Sequence, residues 1–169
     1  MDTRHTVIDT PIGPLTLVAE GDALAAIYFE AHPRRRGRLA FGPEATGSDT
    51  VLDRTRGELA EYFAGERTAF DLPTVTHGDE FDEQVWAELR EIPYGVTTTY
   101  GEIASSLGDK ALAQRVGRSV GDNPLSIVVP CHRVVGSDGS LTGYAGGLDR
   151  KRYLLELEEP ADAAAQRLF

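Results

Sequence analysis

Residues 123–135 have the sequence NPLSIVVPCHRVV, in which an apolar run ends at the chain's one cysteine, Cys131, with His132 directly after it. A thiolate is the reactive form of cysteine, and it forms beside a base or a positive charge. Side chains of neighbouring residues on extended backbone point to opposite sides, so we expect a water to bridge Cys131 and His132 unless the backbone turns sharply there. Chemistry alone leaves two interpretations open, a buried unreactive cysteine and a nucleophile.

The composition restricts the class of protein further. The 169 residues suit one or two small domains, and the 41% of hydrophobic residues suffice for a core. No apolar run approaches the roughly 20 residues of a membrane span, and the first residues resemble no signal peptide, so we expect a cytoplasmic protein with no membrane partner. One cysteine excludes an internal disulfide framework and a multi-cysteine zinc site.

The charge balance argues against a nucleic-acid partner at first sight. Asp plus Glu number 27, Lys plus Arg number 17, and the formal net charge is −10, which should repel DNA at long range. Of the basic residues 15 are Arg and 2 are Lys, and an acid-rich, lysine-poor, halophilic composition suits a salt-rich cytoplasm. The cluster at 34–38 (RRRGR) is either a solvated charged loop or a phosphate-contacting patch.

The first half of the chain predicts an α/β unit. Residues 1–29 alternate as strands with a hairpin turn at 20–22, and residues 30–48 predict an irregular loop. A helix is predicted over 50–64, with Asp49 as its N-cap and Gly65 after its end. A short strand at 70–72 and a linker at 73–77 complete the unit.

The second half predicts mainly helices. A helix beginning near Asp79 repeats apolar residues at helical spacing until Pro93. Two short helices at about 100–107 and 110–121 flank a Gly-Asp turn and resemble a helix-turn-helix, although other α-hairpins have the same pattern. A buried run at 125–129, a Gly-rich stretch at 136–147, a helix at 149–158 and a loosely packed end follow.

These motifs together resemble the O6-alkylguanine-DNA alkyltransferase (methylated-DNA–protein-cysteine methyltransferase) family. The segment PCHRVV at 130–135, with Asn123-Pro124 before it, resembles the family's active-site signature. The resemblance is strong over residues 79–158 and weak in the first unit, where TPIGPL at 10–15 carries it. The other matching motifs are Phe81, Val85 and Trp86, IPYG at 92–95, TYGEIA at 99–104, Val116-Gly117, GYAGG at 143–147, Lys151, Leu154-Leu155 and Glu158.

The resemblance implies a fold and a reaction. An α/β domain resembling ribonuclease H should occupy residues 1–78 with the linker, and a mainly helical, winged-helix-like domain with the helix-turn-helix should occupy residues 79–169. The implied substrate is double-stranded DNA with O6-alkylguanine, or less readily O4-alkylthymine. The alkyl group moves irreversibly to Cys131, so each molecule, a monomer, acts once.

The resemblance also implies roles for five catalytic residues. Cys131 is the nucleophile, and His132 is its general base through a water. Glu158 orients the His132 ring and stabilises the imidazolium. Tyr100 crowds the phosphate 3′ to the lesion and assists protonation of the departing guanine. Asn123 is a hinge that bonds the turn before the active-site strand.

Further positions are implied for the base and the DNA backbone. The second helix of the pair should enter the minor groove, where small side chains keep it slim. The implied base-pocket positions are Gln114, Arg115, Val134 (through its carbonyl), Tyr144, Ala145, Gly146 and Lys151. The implied DNA contacts are Thr99, Tyr100, Ala113, Gln114, Arg115, Gly117, Arg118, Ser119 and Arg133.

One position departs from the family's pattern. Counting from Tyr100 to Cys131 without a gap puts Gln114 where the family usually has the arginine that fills the space left by the flipped base. Either Gln114 fills that space less well, or Arg115 reaches in, although a helix turns roughly 100° per residue. We expect weaker support for base flipping without loss of transfer.

Two other function classes remain as alternatives. Alkyltransferase-like relatives bind lesions without transferring the alkyl group, but they lack the reactive cysteine. A cysteine hydrolase would use Cys131 and His132, but no oxyanion device is evident in the sequence. Some family members hold a metal in the first domain; His5 and His32 alone do not make such a site, so we expect no metal and no cofactor.

Overall fold

The computed structural model describes residues 2–30 and 39–160, so the 34–38 cluster and the end of the chain lie outside the described residues. The first unit begins with the antiparallel strands β1 (Thr3–Ile8), β2 (Leu15–Glu20) and β3 (Ala23–Phe29), in that order across the sheet. The predicted hairpin turn is confirmed: Gly21 takes a φ of 58° between β2 and β3, a conformation that glycine adopts readily.

Helix α1 (Thr50–Phe63) packs against this sheet. Asp49 is its N-cap as predicted, because its carboxylate accepts from the backbone N–H of Leu52 at 3.0 Å. The strand predicted at 70–72 is wrong. The segment is bound to α1 instead, because the N–H of Asp71 donates to the Glu58 side chain at 2.8 Å. Its contact with the sheet is the isolated bridge between Leu24 and Thr74.

The second unit contains the predicted helical pair. Helix α2 (Glu80–Arg90) begins with a capping box between Asp79 and Asp82. Helix α3 (Tyr100–Ser106) is followed by a 3₁₀ turn at Lys110–Leu112 and by α4 (Ala113–Gly121), which packs against both α2 and α3. Helix α4 thus begins three residues later than predicted, because the Asp109 side chain accepts from the N–H of Ala111 at 2.9 Å and caps the 3₁₀ turn first.

The segment before the cysteine is buried as predicted, but it is not a strand. The chain turns repeatedly there, and Ile127 has a φ of 75°, a rare conformation for a β-branched residue. Cys131–Arg133 form a 3₁₀ turn that leads into β5 (Val134–Val135), which pairs in parallel with β4 (Thr98–Thr99). The backbone therefore turns at Cys131 and His132, but the turn does not bring the two side chains into direct contact through Nδ1, which has no hydrogen-bond partner among the described residues.

Helix α5 (Leu148–Glu158) ends the described chain and carries Glu158 at its last position. Apolar side chains of both units form one continuous core, which includes Leu15, Leu59, Leu89 and Cys131. Among residues 2–30 and 39–160, no helix is long and apolar enough to cross a membrane.

Candidate active site

The carboxylate of Glu158 is the centre of a buried hydrogen-bond network. Oε2 accepts from His132 Nε2 at 2.7 Å, from Tyr62 Oη at 2.6 Å and from Arg133 Nη2 at 3.0 Å, and Oε1 accepts from Arg133 Nε at 2.7 Å. Burial by itself raises the pKa of Glu158, but the hydrogen bonds from His132, Arg133 and Tyr62 outweigh it and lower the pKa to about 2. Glu158 is therefore a carboxylate at neutral pH.

His132 is held with one ring nitrogen unused. Its side chain is fully buried, and Nδ1 has no hydrogen-bond partner among the described residues. Burial lowers the pKa of His132 and outweighs the opposing effect of Glu158, so the ring is neutral at neutral pH. Because Nε2–H donates to Glu158, the lone pair lies on Nδ1, where it can accept a proton.

Cys131 rests as a thiol. Cys131 is 6% exposed, and its burial raises the pKa of the thiol. A hydrogen bond with Asn123 and the charge of Lys151 lower this pKa, but burial has the larger effect. The amide of Asn123 spans the preceding turn, because Nδ2 donates to the Val129 carbonyl at 2.8 Å and Oδ1 accepts from the Leu125 N–H at 2.9 Å. This geometry fits the expected hinge, although the hinge serves a turn and not a strand.

The cavity beside Cys131 has a volume of about 40 Å³, too small for a purine base. Tyr100 lies at its edge, and its hydroxyl forms a hydrogen bond with Thr142 Oγ1 at 2.7 Å. This bond joins the first residue of α3 to the segment 142–146, which forms another wall of the cavity. The lining residues are Tyr100, Gly117, Val120, Gly121, Asn123, Cys131, Gly143, Tyr144 and Ala145.

The wall at 142–146 is anchored to the first unit. A Cβ on Gly146 would lie 2.8 Å from Cζ of Phe29, so β3 and this wall are in close contact. Arg150 joins the same two units, since Nη1 donates to the Gly146 carbonyl at 3.0 Å and Nε donates to the Ile12 carbonyl at 2.6 Å. The Tyr144 hydroxyl is buried in the wall with no hydrogen-bond partner in the described part of the chain.

The exposed surface of α4 contains Gln114, Arg115 and Arg118, while Ala113 and Gly117 are half-buried. The guanidinium of Arg115 lies 3.9 Å from the centroid of the Phe81 ring, on the side of α2. Arg115 is thus held against α2. Arg115 would have to leave this contact to reach the space of a flipped base, and the role of Gln114 at that position stays a prediction.

Two of the residues expected to contact DNA have buried side chains. Arg133 is 7% exposed and donates to Glu158 and, from Nη1 at 2.6 Å, to the Ile92 carbonyl. Ser119 is 3% exposed and donates to Asp82 at 2.7 Å. Internal acceptors occupy both side chains, so neither is presented to DNA.

Two residues expected at the base form hydrogen bonds within the protein, which leave the second lone pair of the Val134 carbonyl available. The Lys151 ammonium is buried and donates to the carbonyls of Val134 at 2.7 Å and Thr142 at 3.0 Å. The Val134 carbonyl, which was expected to accept from guanine, already accepts from Lys151. Lys151 therefore ties the wall at Thr142 to β5 and places its charge near Cys131.

The sequence did not indicate Tyr62, Phe29 or Thr142 as parts of the site. Tyr62 lies on the apolar face of α1, which favours a place in the core and gives no indication of a role in the site. A buried tyrosine usually has a hydrogen-bond partner for its hydroxyl, and this rule indicates that Tyr62 contacts a polar group inside the protein. No local sequence pattern indicates that this polar group is Glu158, which lies 96 residues away in the chain.

The fold and the site define a protein in which a helix-turn-helix is joined to a buried cysteine backed by a histidine–glutamate pair. Two family models match the chain: the ribonuclease-like domain of 6-O-methylguanine DNA methyltransferase over residues 3–76, and the DNA binding domain of the same protein over residues 80–160. The chain belongs to the 6-O-methylguanine DNA methyltransferase family. The expected fold, a ribonuclease-like α/β domain before a helical DNA-binding domain, is confirmed.

Similar proteins support the same assignment over nearly the whole chain. A methylated-DNA–protein-cysteine methyltransferase of Mycobacterium tuberculosis is 43% identical over 98% of this chain and 98% of its own length. Its counterpart in Methanosarcina acetivorans is 39% identical over 91% of this chain and 97% of its own length. The crystal structure of M. tuberculosis OGT in complex with DNA has a TM-score of 0.81 and 43% identity, and the match covers 96% of this chain and 98% of that one.

Proposed function

We propose that this chain repairs DNA by moving the alkyl group of O6-alkylguanine irreversibly to Sγ of its own Cys131, once per molecule. We further propose that it works as a cytoplasmic monomer, with domains at residues 1–78 and 79–169. The observation that supports this function best is the buried, neutral His132, whose Nδ1 has no protein partner among the described residues and whose Nε2 is bound to Glu158. A base in this state suits a cysteine that rests as a thiol.

Transfer begins with removal of the thiol proton. A water relays the proton from Cys131 Sγ to Nδ1 of His132, and the carboxylate of Glu158 stabilises the resulting imidazolium through Nε2. Because burial raises the pKa of the thiol, the thiolate forms only when the base is in place. The cysteine is thus protected from unwanted reactions before DNA binds.

The thiolate then displaces guanine from the alkyl carbon. A new S–C bond forms as the C–O6 bond breaks, and its electron pair passes to the guanine ring. The base takes up one proton, for which the Tyr100 hydroxyl at the cavity edge is the nearby donor. Tyr100 then regains a proton from solvent while His132 releases the thiol proton to solvent, so the net transfer is one proton from Cys131 to guanine. The thioether contains no leaving group as good as guanine, which accounts for a single turnover.

The DNA contact follows from the shape and charge of α4. Lys110 and Arg118 are exposed and can meet phosphates, and the exposed Arg115 can join them if its guanidinium leaves the Phe81 ring. The small residues Ala113 and Gly117 let the helix lie close to the duplex. The alkyl carbon lies inside the duplex, so the nucleotide has to be flipped out at a cost of a few kcal/mol. Gln114 would fill the space that it leaves.

Mass spectrometry after mixing with O6-methylguanine duplex tests this function. We expect the protein to gain one methyl group on Cys131 and the DNA to lose its lesion in equal amount. Cys131→Ala should bind the same duplex and gain nothing. Lesion binding by the unchanged protein without methyl gain would favour the non-transferring alternative, and release of free alkyl product with repeated turnover would favour a hydrolase.

A further inference from the structure

Tyr62 brings the first domain into contact with the catalytic residues of the second. It lies on α1, is fully buried, and donates its hydroxyl to Glu158 Oε2 at 2.6 Å. Burial and the charge of Glu158 raise the pKa of Tyr62 far above its ordinary value, so the hydroxyl keeps its proton and remains a donor. The transfer steps proposed above use no group of Tyr62.

The oxygen that Tyr62 contacts is the one that holds the base. Oε2 of Glu158 also accepts from Nε2 of His132 at 2.7 Å. Arg133 Nη2 is a third donor to this oxygen, at 3.0 Å. Donors on one oxygen share its charge, so each weakens the hold of that oxygen on the others. The Tyr62 hydroxyl therefore limits how strongly Glu158 stabilises a proton on His132.

The ring of Tyr62 is fixed from several sides. Its centroid lies 5.4 Å from that of Phe63, 5.4 Å from that of Phe70 and 6.3 Å from that of Tyr94. The hydroxyl consequently has one direction available, and it holds the carboxylate of Glu158 in place. Removing the hydroxyl alone leaves this packing intact.

We propose that Tyr62 is a positioning residue for alkyl transfer: its hydroxyl fixes the Glu158 carboxylate and moderates its charge, so that His132 is unprotonated when the lesion arrives. This inference rests on the proposed function. It makes the first domain a part of the proton-transfer apparatus. The other titratable and charged groups around this network are Cys131, Arg133, Lys151, Tyr94 and Tyr144.

The test is the pH dependence of single-turnover transfer in Tyr62→Phe. The acidic limb of the rate reports the neutral form of His132. Without the hydroxyl, Glu158 attracts the imidazolium proton more strongly, so the limb should move to higher pH. A displacement of half a pH unit lowers the rate on that limb by about threefold. Binding to the lesion duplex should stay the same, because Tyr62 is buried away from α4.

Tyr94→Phe is the matched control, since it removes a hydroxyl from a neighbouring ring. That hydroxyl donates to the Leu157 carbonyl at 3.2 Å and not to Glu158. Its pH profile should coincide with that of the unchanged protein. A purely structural role for Tyr62 would lower the melting temperature without moving the profile.

Titration of the His132 imidazole by NMR in unreacted protein gives a second measurement, in which protonation should occur at higher pH in Tyr62→Phe. A transfer profile or a titration that stays in place, or that moves to lower pH, would overturn the proposal. The proposed function fails separately, if the unchanged protein gains no methyl group on Cys131.

Discussion

At the scale of single residues, the charges of the site control where the proton of the Cys131 thiol is held. Glu158 is ionised, His132 is neutral and Cys131 is a thiol, and each state follows from burial and hydrogen bonds. Arg133 offsets the buried carboxylate, which explains why a basic residue beside the nucleophile faces inward. The site therefore holds a neutral base beside a protonated nucleophile. The proton passes from Cys131 to His132 when a bound substrate makes this transfer favourable.

Glu158→Gln should destabilise the fold in a pH-dependent way. The folded-state pKa of Glu158 is about 2 against an ordinary 4.5, so the carboxylate contributes stability above pH 4.5 that is lost as the pH falls toward 2. The shift corresponds to about 3 kcal/mol in the free energy of unfolding at neutral pH. Denaturant unfolding from acidic to neutral pH should show this loss in Glu158→Gln.

The exposed Glu156 on the same helix provides the control for that measurement. Glu156→Gln should unfold like the unchanged protein at every pH. If Glu158→Gln also retains the parent's stability at neutral pH, the buried network does not contribute as described.

At the scale of elements, the proposed function gives α4 the task of exposing the lesion. Gln114 and Arg118 are exposed on this helix, while Arg115 is held over Phe81. An amide is shorter than a guanidinium and uncharged, so it fills the space of a flipped nucleotide less completely. The element is thus suited to entering the groove but supports the flipped state weakly.

Gln114→Arg should therefore speed transfer from a lesion in duplex DNA. Flipping costs a few kcal/mol, and a better filler recovers part of it, so we expect about a tenfold increase in the single-turnover rate on duplex. Transfer from the free modified base needs no flipping and should be unchanged, which makes it the internal control. Equal rates on duplex for both proteins would show that the position has no influence here.

The wall at 142–146 is the second element that shapes the site. Gly146→Ala would bring a Cβ to 2.8 Å from the ring of Phe29, which is 1% exposed and cannot move aside. We expect a loss of about 1–3 kcal/mol in the free energy of unfolding, the usual cost of overpacking. Gly143→Ala is the comparison in the same wall, because nothing lies within 4 Å of its added Cβ. Equal stability of the two variants would contradict a tight contact between wall and sheet.

Elements with strong local signals could be predicted from the sequence, and the contacts of the site could not. The hairpin and α1 follow from alternation, a glycine turn and an N-cap aspartate. The segment before Cys131 is apolar and β-branched, which favours a strand, but packing against the first domain and the Asn123 bonds hold it in turns with Ile127 at positive φ. The link from Tyr62 to Glu158 depends on how two distant helices pack, which no local pattern encodes.

At the scale of the whole molecule, the net negative charge is spread over both halves of the chain, while one short segment is locally basic. Residues 1–79 carry 8 basic and 13 acidic side chains, and residues 80–169 carry 9 and 14, so each half has a charge of −5. The segment Lys110–Gly121 has three basic residues and no acidic one. The net charge of the chain therefore does not exclude a DNA partner, because α4 and the turn before it carry a local positive charge.

The acidic surface should make stability depend on salt. Like charges repel one another in the folded state, and salt screens that repulsion within a Debye length of about 10 Å at 0.1 M and about 3 Å at 1 M. The melting temperature should rise from low to molar KCl. Greater stability at low salt would show that attractive pairs, such as Arg54 with Asp71, outweigh the repulsion.

Alkyl transfer should also tolerate high salt better than a binder that depends mainly on phosphates. Each neutralised phosphate contributes a slope of about −0.9 to the dependence of log affinity on log salt, so the three basic residues of 110–121 allow a slope of about −3. Transfer rates at subsaturating protein, measured from low to molar KCl, give this slope. Arg118→Ala should reduce its magnitude by about one, because Arg118 is exposed on α4 and lies outside the catalytic network. Collapse of activity at modest salt would mean that many more phosphate contacts form than α4 supplies.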